Sequence, residues 1–185
     1  ALAPGPAAPL AVQAELPADV SFAEADALAH GWQAGGLDAV QTTRWRQDAP
    51  DPALPMIVVA DHLIEPRRAG ALLAADIPHL PIVLAGDRVV VGPLVVPGVT
   101  ACLACLHARR TDADPRWPLV AAQLLGRERV PTDAGLVLEA AVLAARLLRA
   151  ASTGPVSATA LSVTLSCADV RRVWHAHRPH ADCLC

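Results

Sequence analysis

The chain has 185 residues, of which 54% are hydrophobic but only 3% aromatic, so Ala, Leu and Val must fill its core. Its basic residues are all arginine, which excludes a phosphate-loop lysine and Schiff-base chemistry, and a net charge of −3 gives no whole-molecule attraction to nucleic acid. No apolar run reaches the ~18 residues that a membrane-crossing helix needs, because Pro, Gly, Arg or Asp interrupts each one.

The opening stretch ALAPGPAAPLAVQAELP is rich in Ala and Pro and has no basic segment of the secretory type, so residues 1–20 read as a flexible leader or an arm lying on another surface. A single α/β domain is expected over residues 21–185. Its first helix is announced by Ser21 with Glu24 three residues on, a capping box, and is closed by Gly35-Gly36. LDAVQTTRWR then reads as a strand, QDAPDPALP as a loop, and MIVVA as a buried strand.

Pro66 marks the start of a second helix, after which PIVLAGDRVVVGPLVVPG reads as two strands about a Gly-Asp turn. The order helix, strand, strand, helix, strand, strand implies a mixed or parallel sheet with helices on its faces. PRWPLVAAQLLGR is a short helix. PTDAGLVLEAAVLAARLLRAAS is a long one, closed by Gly154, with Glu139, Arg146 and Arg149 along a polar edge. Two final strands lead into a cysteine-bearing tail.

Five cysteines in a chain without an export signal point to a reducing, cytosolic setting and to metal rather than a disulfide framework. Cys102 and Cys105 have the C-x-x-C spacing that lets one tight turn present two thiolates to a zinc ion. Cys183 and Cys185 form a second close pair, and the four together would make a closed structural site without an open position for catalysis. His175, His177 and His180 are alternative ligands, and a redox C-x-x-C, which requires its first thiol at a helix N-terminus, is the competing reading. Cys167, inside a predicted strand, reads as a small core residue. HARRTDADPRWP reads as a solvated salt-bridge loop built from Arg109, Arg110, Asp112 and Asp114. Alternatively, Arg109 and Arg110 face an acidic peptide or partner, with Trp117 as anchor.

From about Ala23 to Cys185, and most specifically in VVGPLVVPGVTACLACLHARRTDADPRWPLVAAQL and the cysteine-rich end, the sequence resembles the ThiF/MoeB-type adenylyltransferases. Within them it is most similar to the ThiF-like cyclodehydratase and leader-peptide-binding proteins of azol(in)e-forming peptide biosynthesis. The resemblance implies a partial Rossmann-like α/β domain with a four-cysteine zinc site, Asp61 of MIVVADHL at the acid position near the nucleotide, and a tendency to homo-oligomerise. The sequence departs from that pattern in having no G-x-G-x-x-G and no lysine, so ATP and magnesium are not expected to be used by this chain alone. The expected function is a zinc-stabilised, non-catalytic module binding a peptide or partner protein. The alternative is an adenylyltransferase or cyclodehydratase component whose nucleotide site is completed elsewhere, and a zinc protein of unrelated fold is the third reading.

Overall fold

A computed structural model describes residues 10–43, 49–154, 160–183 and 185. Among the described residues twelve elements follow one another. They are β1 (Leu10–Glu15), α1 (Phe22–Ala34), β2 (Leu37–Thr43), β3 (Met56–Asp61), α2 (Pro66–Ala74), β4 (His79–Leu84), β5 (Arg88–Val91), α3 (Leu103–Ala113), α4 (Trp117–Leu125), α5 (Ala134–Thr153), β6 (Leu161–Ser166) and β7 (Asp169–Ala176). The strands form one sheet in the order β2-β1-β3-β4-β5-β6-β7. β2, β1, β3 and β4 are parallel, whereas β5, β6 and β7 join antiparallel.

The α/β fold with a mixed sheet is as expected, but the reading of residues 1–20 as a leader needs correction. Residues 10–15 are β1, which lies between β2 and β3 inside the parallel half. The motif LAVQAE is short and carries Gln and Glu, so it lacks the continuous apolar signature of a buried strand. Those polar groups are buried with partners: Gln13 Nε2 donates to the carbonyls of Asp51 and Leu54, and Glu15 meets Arg68. The other part of the expected leader, residues 1–9, lies outside the described residues, as do Arg44, Trp45 and Arg46 of the expected LDAVQTTRWR strand.

Two cores flank the sheet. On one face α1 and α5 cover Val12, Ile57, Leu80, Ile82, Val89, Val91, Val163 and Leu165. The polarity of α5 is as the sequence suggests: Val137, Ala140, Ala141, Ala144, Ala145 and Leu148 are buried, while Glu139 and Arg146 lie away from them. Small residues let α1 approach closely, since a Cβ built on Gly31 would fall 2.5 Å from Ala141 Cβ and 2.6 Å from the Leu138 carbonyl. On the other face Met56, Val58, Ile64, Leu72, Ile77 and Val95 meet Ala101, Cys102, Leu103 and Cys105, against which Cys183 and Cys185 lie. Each fully buried aliphatic side chain contributes roughly 1.5–3 kcal/mol, so the tail is attached to a real core rather than to a surface loop.

Both helix ends read from sequence are present. Ser21 accepts from the Glu24 amide while the Glu24 carboxylate reaches back to Ser21, and Gly36 leaves α1 at φ 93°. Asp133 caps α5 by accepting from the Leu136 amide at 3.0 Å. No described helix is long and apolar enough to cross a membrane.

Candidate metal centre and switch-point crevice

The strand β5 leaves the sheet through Gly92 and the loop Pro93–Ala101, and the chain turns directly into α3. Cys102 is the N-cap of that helix and Cys105 lies in its first turn, so the two thiols come from a helix N-terminus rather than from the isolated tight turn expected. At the far end of the chain, Arg109 of α3 donates to the carbonyls of Arg178 (3.2 Å) and Pro179 (2.9 Å), and His180 bonds Asp112 of the same helix at 2.8 Å. These contacts bring the tail along α3 and deliver Cys183 and Cys185 to its start.

The sulfurs of Cys102 and Cys105 are 3.7 Å apart, Cys102 and Cys183 3.6 Å, and Cys105 and Cys185 3.3 Å. All four ligand atoms lie within 4.8 Å of one another, and all belong to free thiols. Sulfurs around a tetrahedral ion with bonds of ~2.3 Å would stand about 3.8 Å apart, so the cluster fits a closed four-thiolate metal site with little adjustment.

Burial raises the pKa of Cys102 and Cys185. For Cys105 burial acts in the same direction, but a backbone hydrogen bond from His180 and the neighbouring Cys185 thiol bring it down to about 7. The helix N-terminus that the redox reading required is present, yet the second thiol pair adjoining the first gives four ligands where a redox motif uses two. His177 instead pairs with Ser162 at 2.7 Å and His180 with Asp112, so neither takes part in the four-sulfur cluster, and His175 also lies outside it.

Several other expectations require correction. HARRTDADPRWP is not a loop: α3 continues to Ala113, and Arg110 lies 4.6 Å over the Trp117 ring. Trp117 Nε1 donates to His107 Nδ1 at 3.0 Å, and the two rings stack. Arg109 is spent on the tail carbonyls. Arg109, Arg110 and Trp117 thus meet at the corner between α3, α4 and the tail, where both arginines stay exposed and Trp117 is half-buried. Cys167 is exposed in the turn joining β6 to β7, where the strand has already ended.

The other concave feature sits where the connections from β1 and β3 leave in opposite directions. In open α/β sheets this switch point is the usual ligand crevice. It encloses about 1190 Å³ and is lined by residues 15–20 after β1, residues 58–65 around the end of β3, Arg68, and the Leu124–Arg129 stretch. Asp61 is there, at the end of β3 as expected, but its partner is Arg129 at 3.0 Å. Arg129 also reaches Glu24 at 2.6 Å, and Glu24 accepts from the Thr132 amide at 2.9 Å.

Burial alone would raise Glu24, but its bonds from Arg129, Ser21 and Thr132 hold it at about 2. Burial raises Asp61 and Glu15 against the pull of Arg129 and Arg68 respectively. Glu24 was legible only as a cap. Its second role, and the parts of Glu15, Arg68 and Arg129, leave no local signature, because the partners lie 53 to 105 residues away along the chain.

No protein-family model matches the chain, and no curated protein matches it in sequence. Among solved structures it is similar to a heterocyclase in complex with substrate and cofactor, at 18% identity and a TM-score of 0.66 over 95% of this chain and 25% of that one. The heterocyclase TruD gives 16% identity and a TM-score of 0.66 over 94% and 27%. The microcin synthetase McbBCD complex of E. coli gives 13% and 0.67 over 97% and 70%. The chain thus shares the fold of these heterocyclase and synthetase structures, consistent with the ThiF-like resemblance of its sequence, and it spans about a quarter of the length of the first two.

Proposed function

We propose that this chain is a zinc-stabilised ThiF-like module that binds a peptide or partner protein of an azol(in)e-forming, bacteriocin-type modification system, and that it does not adenylate by itself. The observation that carries the reading is the chemistry of the crevice. A nucleotide phosphate needs free backbone N–H groups at a helix N-terminus. Here the turn after β1 contains Pro17 and no glycine, and the start of α1 is taken by Ser21 and Glu24, whose carboxylate stands where a phosphate would be repelled. The four clustered thiols support a structural zinc, and the four-sulfur set leaves no position for substrate.

The neighbours support a partner: one is a component of a multi-subunit synthetase complex, and another, MccB of E. coli, was solved with MccA. Self-association belongs to the same reading, and the exposed Leu119, Val120 and Leu125 of α4 offer it an apolar surface. The cytoplasm is the compartment that suits reduced thiols. The alternative, an adenylyltransferase or cyclodehydratase component, draws on Asp61 at the mouth of a crevice large enough for a nucleotide, with the phosphate cradle supplied by another subunit or segment.

Three measurements test the proposal. Metal analysis should return about one zinc per chain. Calorimetric titration with ATP and magnesium should show no binding, and micromolar affinity would establish the alternative. Selection of a displayed peptide library on the immobilised full chain should enrich a sequence class, and a selection that enriches nothing would remove the peptide-binding reading.

A further inference from the structure

β7 is the outermost strand of the antiparallel half, and among the described residues no strand lies beyond it. The amide of His177 donates to the Ala160 carbonyl at 2.8 Å, and the register pairs His175 with Ser162 and Val173 with Thr164. By the two-residue alternation of an antiparallel ladder, Val173, His175 and His177 turn their backbone groups toward β6. Trp174 and Ala176 therefore turn theirs away from the sheet.

The beginning of the strand is closed by its own side chains. Asp169 Oδ1 accepts from the Arg171 amide at 2.8 Å, and Arg172 donates to the Val170 carbonyl at 2.6 Å. The stretch from Val173 to Ala176 has no such cover among the described residues. It contains no proline or lysine, the usual devices for blunting an edge, and Val173 and Trp174 are 50% and 48% exposed.

We propose that this open edge receives an extended acidic and apolar peptide segment as an added strand, pairing with the backbone of Trp174 and Ala176. The inference rests on the peptide-binding reading above and gives it a location and a ligand chemistry. The charge around the edge selects the occupant. At one end Arg171 is already neutralised by Asp169. At the other, Arg178 follows β7, with the Arg109 guanidinium held on the Arg178 and Pro179 carbonyls. The one acid of β7, Asp169, is already bonded to Arg171 at 2.6 Å, and Arg172 is matched by Glu139 of α5. Among the described residues, the arginines left without a carboxylate at this edge are Arg178 and Arg109, and a second copy of β7, whose one acid is already engaged, would bring them none. An acidic strand supplies that carboxylate at the Arg178 end and meets the Trp174 indole along its length.

The test uses the full chain and a fluorescent seven-residue peptide alternating valine with glutamate, followed by anisotropy. A valine–lysine peptide is the control. The expected result is saturable binding of the acidic peptide and at least tenfold weaker binding of the basic one. Ala176→Pro, which deletes an outward N–H and spares the bonds to β6, should weaken binding about tenfold, as should Arg178→Glu.

Two peptides N-methylated on alternate residues, in the two possible registers, make the same test without altering the protein. One should bind and the other should not. If the acidic peptide binds but Ala176→Pro and both methylated forms bind equally well, the edge is refuted and the peptide-binding reading survives. No binding of the acidic peptide, or equal binding of the basic one, overturns the inference, while the library selection judges the broader reading separately. A dimer that Ala176→Pro dissolves would show a second copy as occupant and would also overturn it.

Discussion

Replacing Arg129 with alanine removes the cation that joins Glu24 of α1 to Asp61 at the end of β3. Glu24 is only 1% exposed, so it would be left charged in a poorly hydrated position. Breaking a fully buried pair costs about 3–5 kcal/mol. Glu24 keeps Ser21 and the Thr132 amide, and the crevice admits water to Asp61, so about 2 kcal/mol is expected here. For a chain of this length that lowers Tm by roughly 4–8 °C.

The loss must also depend on pH. Above 4.5, the ordinary value, the carboxylate of Glu24 is ionised in the unfolded chain too, and its full contribution is present. As pH falls toward 2 the folded carboxylate takes up a proton and the contribution disappears. Asp61, already raised by burial, would be raised further without Arg129 and so recovers early on acidification. Urea denaturation of wild type and Arg129→Ala between pH 3 and 7 should therefore give a gap that is constant above about pH 5 and narrows below it. A gap under about 0.5 kcal/mol at neutral pH, or one that widens in acid, would show that the network does not stabilise the fold.

Cys105→Ser should lose the bound metal and lower Tm by at least ~10 °C, measured by metal analysis and thermal denaturation; a strong chelator should do the same to the wild type. Thiol titration of the metal-loaded protein should find one fast-reacting cysteine, Cys167, with the other four released only on unfolding. Gly31→Val should destabilise by about 2–3 kcal/mol in urea titration, because a side chain there meets Ala141 and the backbone of α5, while Gly70→Ala, with nothing within 4 Å, should be neutral or mildly stabilising.

What could be read in the sequence was what is local. The capping box at Ser21, the Gly86-Asp87 hairpin and the period of α5 are each set by a few adjacent residues, and each is found in the fold. The four cysteines were legible because metal ligands come in close pairs, even though the two pairs are 80 residues apart. β1 was not, because its place in the sheet is decided by partners: Gln13 and Glu15 are satisfied only by residues brought up from positions 51, 54 and 68. The contacts of Arg109 and Arg110 were hidden for a related reason. The stretch faces solvent as an arginine-rich segment should, but it is helix rather than loop, and its contacts are with the distant tail carbonyls for Arg109 and with Trp117 for Arg110, which local sequence does not show. The exposure of Cys167 follows from a strand boundary one residue earlier than the alternation suggests.

The two ends of the sheet divide the molecule's chemistry between them. At the parallel end the place where a dinucleotide fold carries phosphate is filled by a carboxylate, Glu24, and the arginine that compensates it comes from a distant loop rather than from a ligand. Substituting Glu24 alone would strand Arg129 beside Asp61 without creating a glycine turn. The antiparallel end is different. There the cysteine cluster and Arg109 fix the tail against α3, and that anchoring holds the last strand in place, with no strand beyond its outer edge among the described residues. A metal that catalyses nothing would still be needed for function on this view, because only eight residues separate the end of β7 from Cys185, and the cluster is what holds them. Loss of metal should then abolish capture of the acidic peptide while leaving α1, α5 and the parallel half folded, which circular dichroism and the same anisotropy titration can separate.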